Sequence, residues 1–126
     1  MLARGPPDWP PPFFSRAPSN SPKPESQSLA GFIQEALVAR TRSVDRGTQA
    51  KQFFVIANVT SPAVLIEGGF ITNKDELSKL VSEDYRDQLA AAVADGILRY
   101  RDVVSQFRFV VETERRELDR DKATAA

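Results

Sequence analysis

The sequence predicts a small α/β chain in which two short strands, too few for a complete sheet, lie among flanking helices and end in one long C-terminal helix. Three observations carry this. Apolar residues recur at three- and four-residue steps over two separate stretches, the mark of helices with one buried face. Between them, Phe53-Phe54-Val55-Ile56 and Ala63-Val64-Leu65-Ile66 are short apolar runs rich in aromatic and β-branched residues, the composition of strands. Eight of the nine prolines fall between Pro6 and Pro24, so the ordered part is small and its core modest.

Residues 1–27, rich in Pro and Ser with Trp9, Phe13 and Phe14 interspersed, read as an extended or disordered leader. Pro10-Pro11-Pro12 resembles a polyproline ligand for an aromatic groove, although such short runs are common in tails. From Ser28 the spacing of Leu29, Phe32, Ile33, Ala36, Leu37 and Arg40 predicts an amphipathic helix ending near Arg42, with Ser26 or Ser28 as N-cap. Asp45-Arg46-Gly47 forms a turn before the first strand. Pro62 introduces the second strand, which closes on Glu67 and the pair Gly68-Gly69. The connection between the strands is too short for a crossover helix, so neighbouring strands would be antiparallel. Two strands alone are inadequate, which implies that part of a larger fold is absent.

Asn73-Lys74-Asp75-Glu76 has the pattern of a capping box opening a short helix through Leu77, Leu80 and Val81. Ser82 can cap the next helix, along which Tyr85, Leu89, Val93, Ile97, Tyr100, Val104, Phe107 and Val111 form a continuous stripe, slightly weakened by Gly96. Residues 105–126 read as a charged helical extension whose tail from Glu112 to Lys122 mixes both signs of charge and is solvated, the alternative being a partner-binding coiled coil that would need more heptads. The stretch 28–104 is the folded domain.

Composition narrows the chemistry. The 126 residues carry 17 basic and 17 acidic side chains, so no excess charge points to nucleic acid or an anionic membrane. No apolar stretch approaches the roughly 20 residues of a membrane span, and Met1–Pro12 lacks the apolar region of a secretory signal. The chain has no cysteine, hence no disulfide or thiolate chemistry, and no histidine, hence no serine triad and no usual three-ligand catalytic zinc. Glu67-Gly68-Gly69-Phe70 lacks the lysine and spacing of a phosphate loop.

One residue is chemically pointed. Glu67 ends an apolar strand, so its carboxylate should stand partly desolvated at a sheet edge, a position suited to general acid–base catalysis, with the two glycines permitting a close approach. The plainer reading turns the same carboxylate to solvent or pairs it with Arg46.

The run Asp45-Arg46-Gly47-Thr48-Gln49-Ala50-Lys51-Gln52-Phe53-Phe54-Val55-Ile56, followed by Pro62-Ala63-Val64-Leu65-Ile66-Glu67-Gly68-Gly69-Phe70-Ile71-Thr72-Asn73, resembles the closing portion of the zinc-dependent N-acetylmuramoyl-L-alanine amidases. The resemblance extends forward to Tyr100 and back over Leu29-Ala30 and Ile33-Gln34, about residues 28–100. It implies an incomplete mixed-sheet amidase fold, peptidoglycan as the partner, a cell-envelope location, and hydrolysis of the amide between N-acetylmuramic acid and L-alanine. By the resemblance Glu67 matches the catalytic glutamate that relays a proton from zinc-bound water to the leaving amine. The family's two histidines and glutamate that bind zinc have no counterpart here, so this chain is expected to hold no zinc tightly and to be inactive alone. It would then require a missing N-terminal half or self-associate through its open edge. The alternative is a noncatalytic binding or structural module built on the same fold.

Overall fold

The computed structural model describes residues 23–51, 53–57 and 59–125, which form four helices in the order α1 (Pro24–Thr41), α2 (Phe54–Ala57), α3 (Lys74–Leu80) and α4 (Glu83–Thr124). The expected leader and its polyproline reading fall almost wholly on residues 1–22, outside the described residues.

The α/β expectation is overturned: among the described residues there is no strand and no sheet. Phe54–Ala57 is a single helical turn, flanked by short-range bonds from Ile56 N–H to the Phe53 carbonyl at 3.0 Å and from Val59 N–H to the Ile56 carbonyl at 3.4 Å. Ala63–Glu67 is irregular chain that lacks a ladder partner, with Ala63 N–H donating to Ser26 Oγ at 3.1 Å. The physical reason lies in what β-propensity measures. Aromatic and β-branched residues favour strands by packing on a pleated surface, and no second strand supplies one here. Local bonds satisfy part of the backbone instead. The antiparallel pairing and the open sheet edge expected to drive self-association go with the sheet.

α1 begins one turn earlier than the spacing indicated, because Pro24 takes the first helical position, where its missing N–H is no loss. Glu25 lies in the first turn and Arg40 in the last, each on the favourable side of the helix dipole. Ser26 is therefore inside the helix, where its hydroxyl accepts from Ala63 N–H. Lys23 Nζ donates to the carbonyls of Val59 (2.9 Å) and Thr60 (3.1 Å), tying the same segment to the start of α1.

The core is the crossing of α1 on α4. Ile33 and Ala36 of α1 are each 3% exposed and Ala92 of α4 is 0% exposed. Gly96 is buried directly against α1: a Cβ there would lie 2.6 Å from Ile33 Cα, 2.8 Å from its nitrogen and 2.9 Å from its Cγ1. The sequence marked this glycine as a weak point of the helix. In the fold it is the position that lets two backbones touch. Phe32 packs edge-on against Tyr100, ring centroids 6.4 Å apart, extending the contact along the pair.

α4 outruns its partner. Its 42 residues span about 63 Å and the 18 of α1 about 27 Å. Beyond Val104 the stripe has no cover among the described residues, and Phe107 is 70% exposed with Val110 and Val111 also open. Pairs of favourable order, Asp95 with Arg99 (3.0 Å) and Glu112 with Arg116 (3.3 Å), support this helix on its surface.

Two glycines on the α1–α4 pair should respond oppositely to a methyl group. Gly96→Ala should lower stability by roughly 1–3 kcal/mol, since the added carbon meets backbone that cannot rotate away. Gly31→Ala, inside α1 with nothing within 4 Å of its Cβ position, should raise it by about 0.5–1 kcal/mol through helix propensity. Urea unfolding of both variants measures the contrast.

Candidate functional site

Glu67 lies at the meeting point of two grooves. The larger, about 440 Å³, runs between the Ser26–Leu37 face of α1, residues 48–51 and Ala63–Glu67. The smaller, about 240 Å³, lies between the end of α1, the Gly68-Gly69 pair, α3 and the start of α4. Gln34, Leu37 and Glu67 border both. Glu67 is exposed, not sunk at a sheet edge. Among the described residues it has no ion-pair partner.

Arg46, the anticipated structural partner of Glu67, is engaged elsewhere. Its Nη2 donates to Glu76 Oε1 at 3.1 Å and its guanidinium lies 5.0 Å from the centroid of the Phe70 ring. Glu76 Oε2 accepts from Phe70 N–H at 2.6 Å. This clasp fixes the chain immediately after Glu67. Gly69 sits inside it at φ 151°, and a Cβ there would lie 3.1 Å from Glu76 Oε2. The glycine thus accommodates the protein's own Glu76 and Leu80 side chains.

The cap of α3 is only half of the expected box. Asn73 Oδ1 accepts from the N–H groups of Asp75 (2.9 Å) and Glu76 (3.1 Å), while Glu76 reaches past Asn73 to the Phe70 N–H. Ser82 caps α4 through Tyr85 N–H at 3.5 Å. Beside the smaller groove Gln34 Nε2 donates to Asp45 Oδ1 at 2.7 Å, and the same oxygen accepts from Gly47 N–H at 2.8 Å. Sequence reasoning missed Glu76 as the residue that shapes the Glu67 turn. The capping pattern singled it out, but nothing local shows that its partner lies six residues back.

The donor set does not fit zinc. The chain has neither histidine nor cysteine, and among the described residues no three acidic side chains gather where an ion could be held. What the arrangement offers is one open carboxylate at a groove junction, which can accept and return a proton.

Residues 15–99 match the family described as N-acetylmuramoyl-L-alanine amidase, and the chain belongs to that family. It is 43% identical over 77 residues to the uncharacterized protein YqiI of Bacillus subtilis (strain 168), covering 61% of this chain and 37% of that protein. It is 41% identical over 75 residues to the N-acetylmuramoyl-L-alanine amidase LytC of the same strain, covering 60% and 15%. With the N-acetylmuramoyl-L-alanine amidase AmiA of Escherichia coli (strain K12) the identity is 36% over 75 residues, covering 60% and 26%. The chain therefore spans well under half the length of these relatives. No solved structure matches it.

The clasp carries a pH signature. The Phe70 N–H, and then the Arg46 guanidinium, hold the Glu76 carboxyl below its ordinary pKa. Gln34, and then the Gly47 N–H, do the same for Asp45. Groups depressed in the folded state stabilise it above the unfolded carboxylate pKa, about 4, and that contribution is lost as pH falls through the folded value. Thermal midpoints should therefore drop on acidification below about pH 4.5. Glu76→Gln should start lower at neutral pH and show a shallower acid slope.

Proposed function

We infer that this chain supplies the acid–base carboxylate of an N-acetylmuramoyl-L-alanine amidase, acting in the cell envelope on the peptidoglycan amide that joins N-acetylmuramic acid to L-alanine. Family membership supports the reaction class. The observation that carries the residue assignment is the position of Glu67, unpaired among the described residues and shared by both grooves.

In this reading the amide lies across the junction. Glu67 takes a proton from water as the water oxygen bonds to the carbonyl carbon, then returns it to the nitrogen as the C–N bond breaks. Gly68-Gly69 and the Glu76 clasp hold the carboxylate's backbone in place. The ligands for the family's metal must come from residues other than those described, because the donors described do not form a site for it.

Joining the chain to the ligand-bearing segment of a family member tests this. The joined protein should hydrolyse muropeptides, and Glu67→Gln within it should lose roughly 10²–10⁴-fold in kcat with metal content unchanged. Equal turnover with the amide side chain would return Glu67 to a surface role. No described helix is long and apolar enough to cross a membrane.

A further inference from the structure

The apolar face of α4 runs on past the point where its cover stops. At about 3.6 residues per turn, Gly96 and Tyr100, which meet α1, lie in one line with Phe107, Val111 and Leu118. Leu118 is 59% exposed, so the open stretch reaches from Phe107 almost to the helix end. α1 runs antiparallel to α4, since Ile33 lies at Gly96, Phe32 at Tyr100, and Leu37 borders the same groove as Leu89. Pro24, where α1 starts, stands about 14 Å along the axis from Ile33, which is the level of Ser105 on α4. The family match ends at residue 99, so the open stretch lies outside the shared domain.

Charge narrows what could cover it. From Ser105 to Thr124 the helix carries five basic and five acidic side chains, so the limb has no excess of one sign to select an oppositely charged partner. Their order is complementary to itself when reversed. Helical spacing puts Arg108, Glu112, Arg115 and Asp119 on one flank of the apolar face, cation and anion alternating. A parallel copy in register would oppose Glu114 to Glu114 and bring two α1 helices to the same level between the two long helices. An antiparallel copy avoids both, because the tip of each α4 ends about where the other copy's α1 begins.

We propose that the distal limb of α4 pairs with the same limb of a second copy of this chain, antiparallel and crossing near Thr113. Phe107 then lies opposite Leu118 of the second copy, Arg108 opposite its Asp119, and Arg115 opposite its Glu112, each contact occurring twice by the two-fold symmetry. The second copy continues, end to end, the cover that α1 begins. The open apolar surface is on the order of 500 Å² per copy, so the pair buries about 1,000 Å², the low end of specific interfaces, and should half-assemble at about 10–100 µM. The contact involves neither groove and is independent of the role of Glu67.

Sedimentation of the full chain over a range of concentrations tests this. The expected result is a reversible monomer–dimer equilibrium that Phe107→Glu weakens more than tenfold. Phe109→Glu, at a residue 74% exposed but on the opposite side of the helix, should leave it within about twofold. Neither side chain is in the core, so both variants should keep the thermal midpoint of the dilute chain. Orientation is read by cross-linking, because the chain has no cysteine of its own. Val110 and Glu117 share the other flank, at equal levels in the antiparallel pair, so a mixture of Val110→Cys and Glu117→Cys chains should form a disulfide between the two variants faster than either alone. A monomer at every concentration overturns the proposal, whether the stripe is then bare or covered by something else. So does equal disruption by Phe107→Glu and Phe109→Glu, or a dimer in which the mixed disulfide is not favoured.

Discussion

The structure depends on one approach, the backbone of α1 against the backbone of α4 at Ile33 and Gly96. With no side chain between them at that point, the helices come close enough for Ile33, Ala36 and Ala92 to be sealed from water. These few residues are the buried apolar core of the described chain. Everything that borders Glu67 is attached to this pair: the Gln34 and Leu37 positions on α1, the Tyr85 and Leu89 positions on α4, and the irregular segment that Lys23 and Ser26 hold along α1. A core so narrow leaves much apolar surface outside, including Leu65, Ile66 and Val55.

The helical parts were legible in the sequence because their signals are local. Periodicity located α1 and α4, and the side chains of Asn73 and Ser82 cap α3 and α4. The failures share a cause, which is that the deciding partner is distant. Ala63–Ile66 has strand composition, yet a strand exists only when another strand pairs with it, and composition does not encode whether that neighbour is present. Gly96 read as a defect because a single helix shows its entropic cost and not the approach it permits. Arg42 carries no sequence mark of a left-handed helix end, since that mark is normally a glycine.

The candidate site was legible to a different degree at each residue. Glu67 stood out by ending an apolar run before two glycines, but that pattern also fits a carboxylate turned to solvent, and family resemblance weighted the choice. Arg46 lies near Glu67 in any reading of the turn; that it neutralises Glu76 instead is a tertiary outcome. Through that exchange one carboxylate becomes architectural and the other is left available. The two carboxylates therefore differ in setting without differing in residue type, and the difference lies in which of them Arg46 reaches.

The unequal lengths of α1 and α4 have a mechanical meaning. The crossing at Gly96 divides α4 into a short limb of about 20 Å toward Tyr85 and a long limb of about 42 Å toward Thr124. α4 is continuous helix on both sides of the crossing. The short limb, with Tyr85, forms part of the wall of the Glu67 groove, while the long limb carries Phe107, Val110 and Val111 in the open, so one continuous helix joins the groove to a surface far from it.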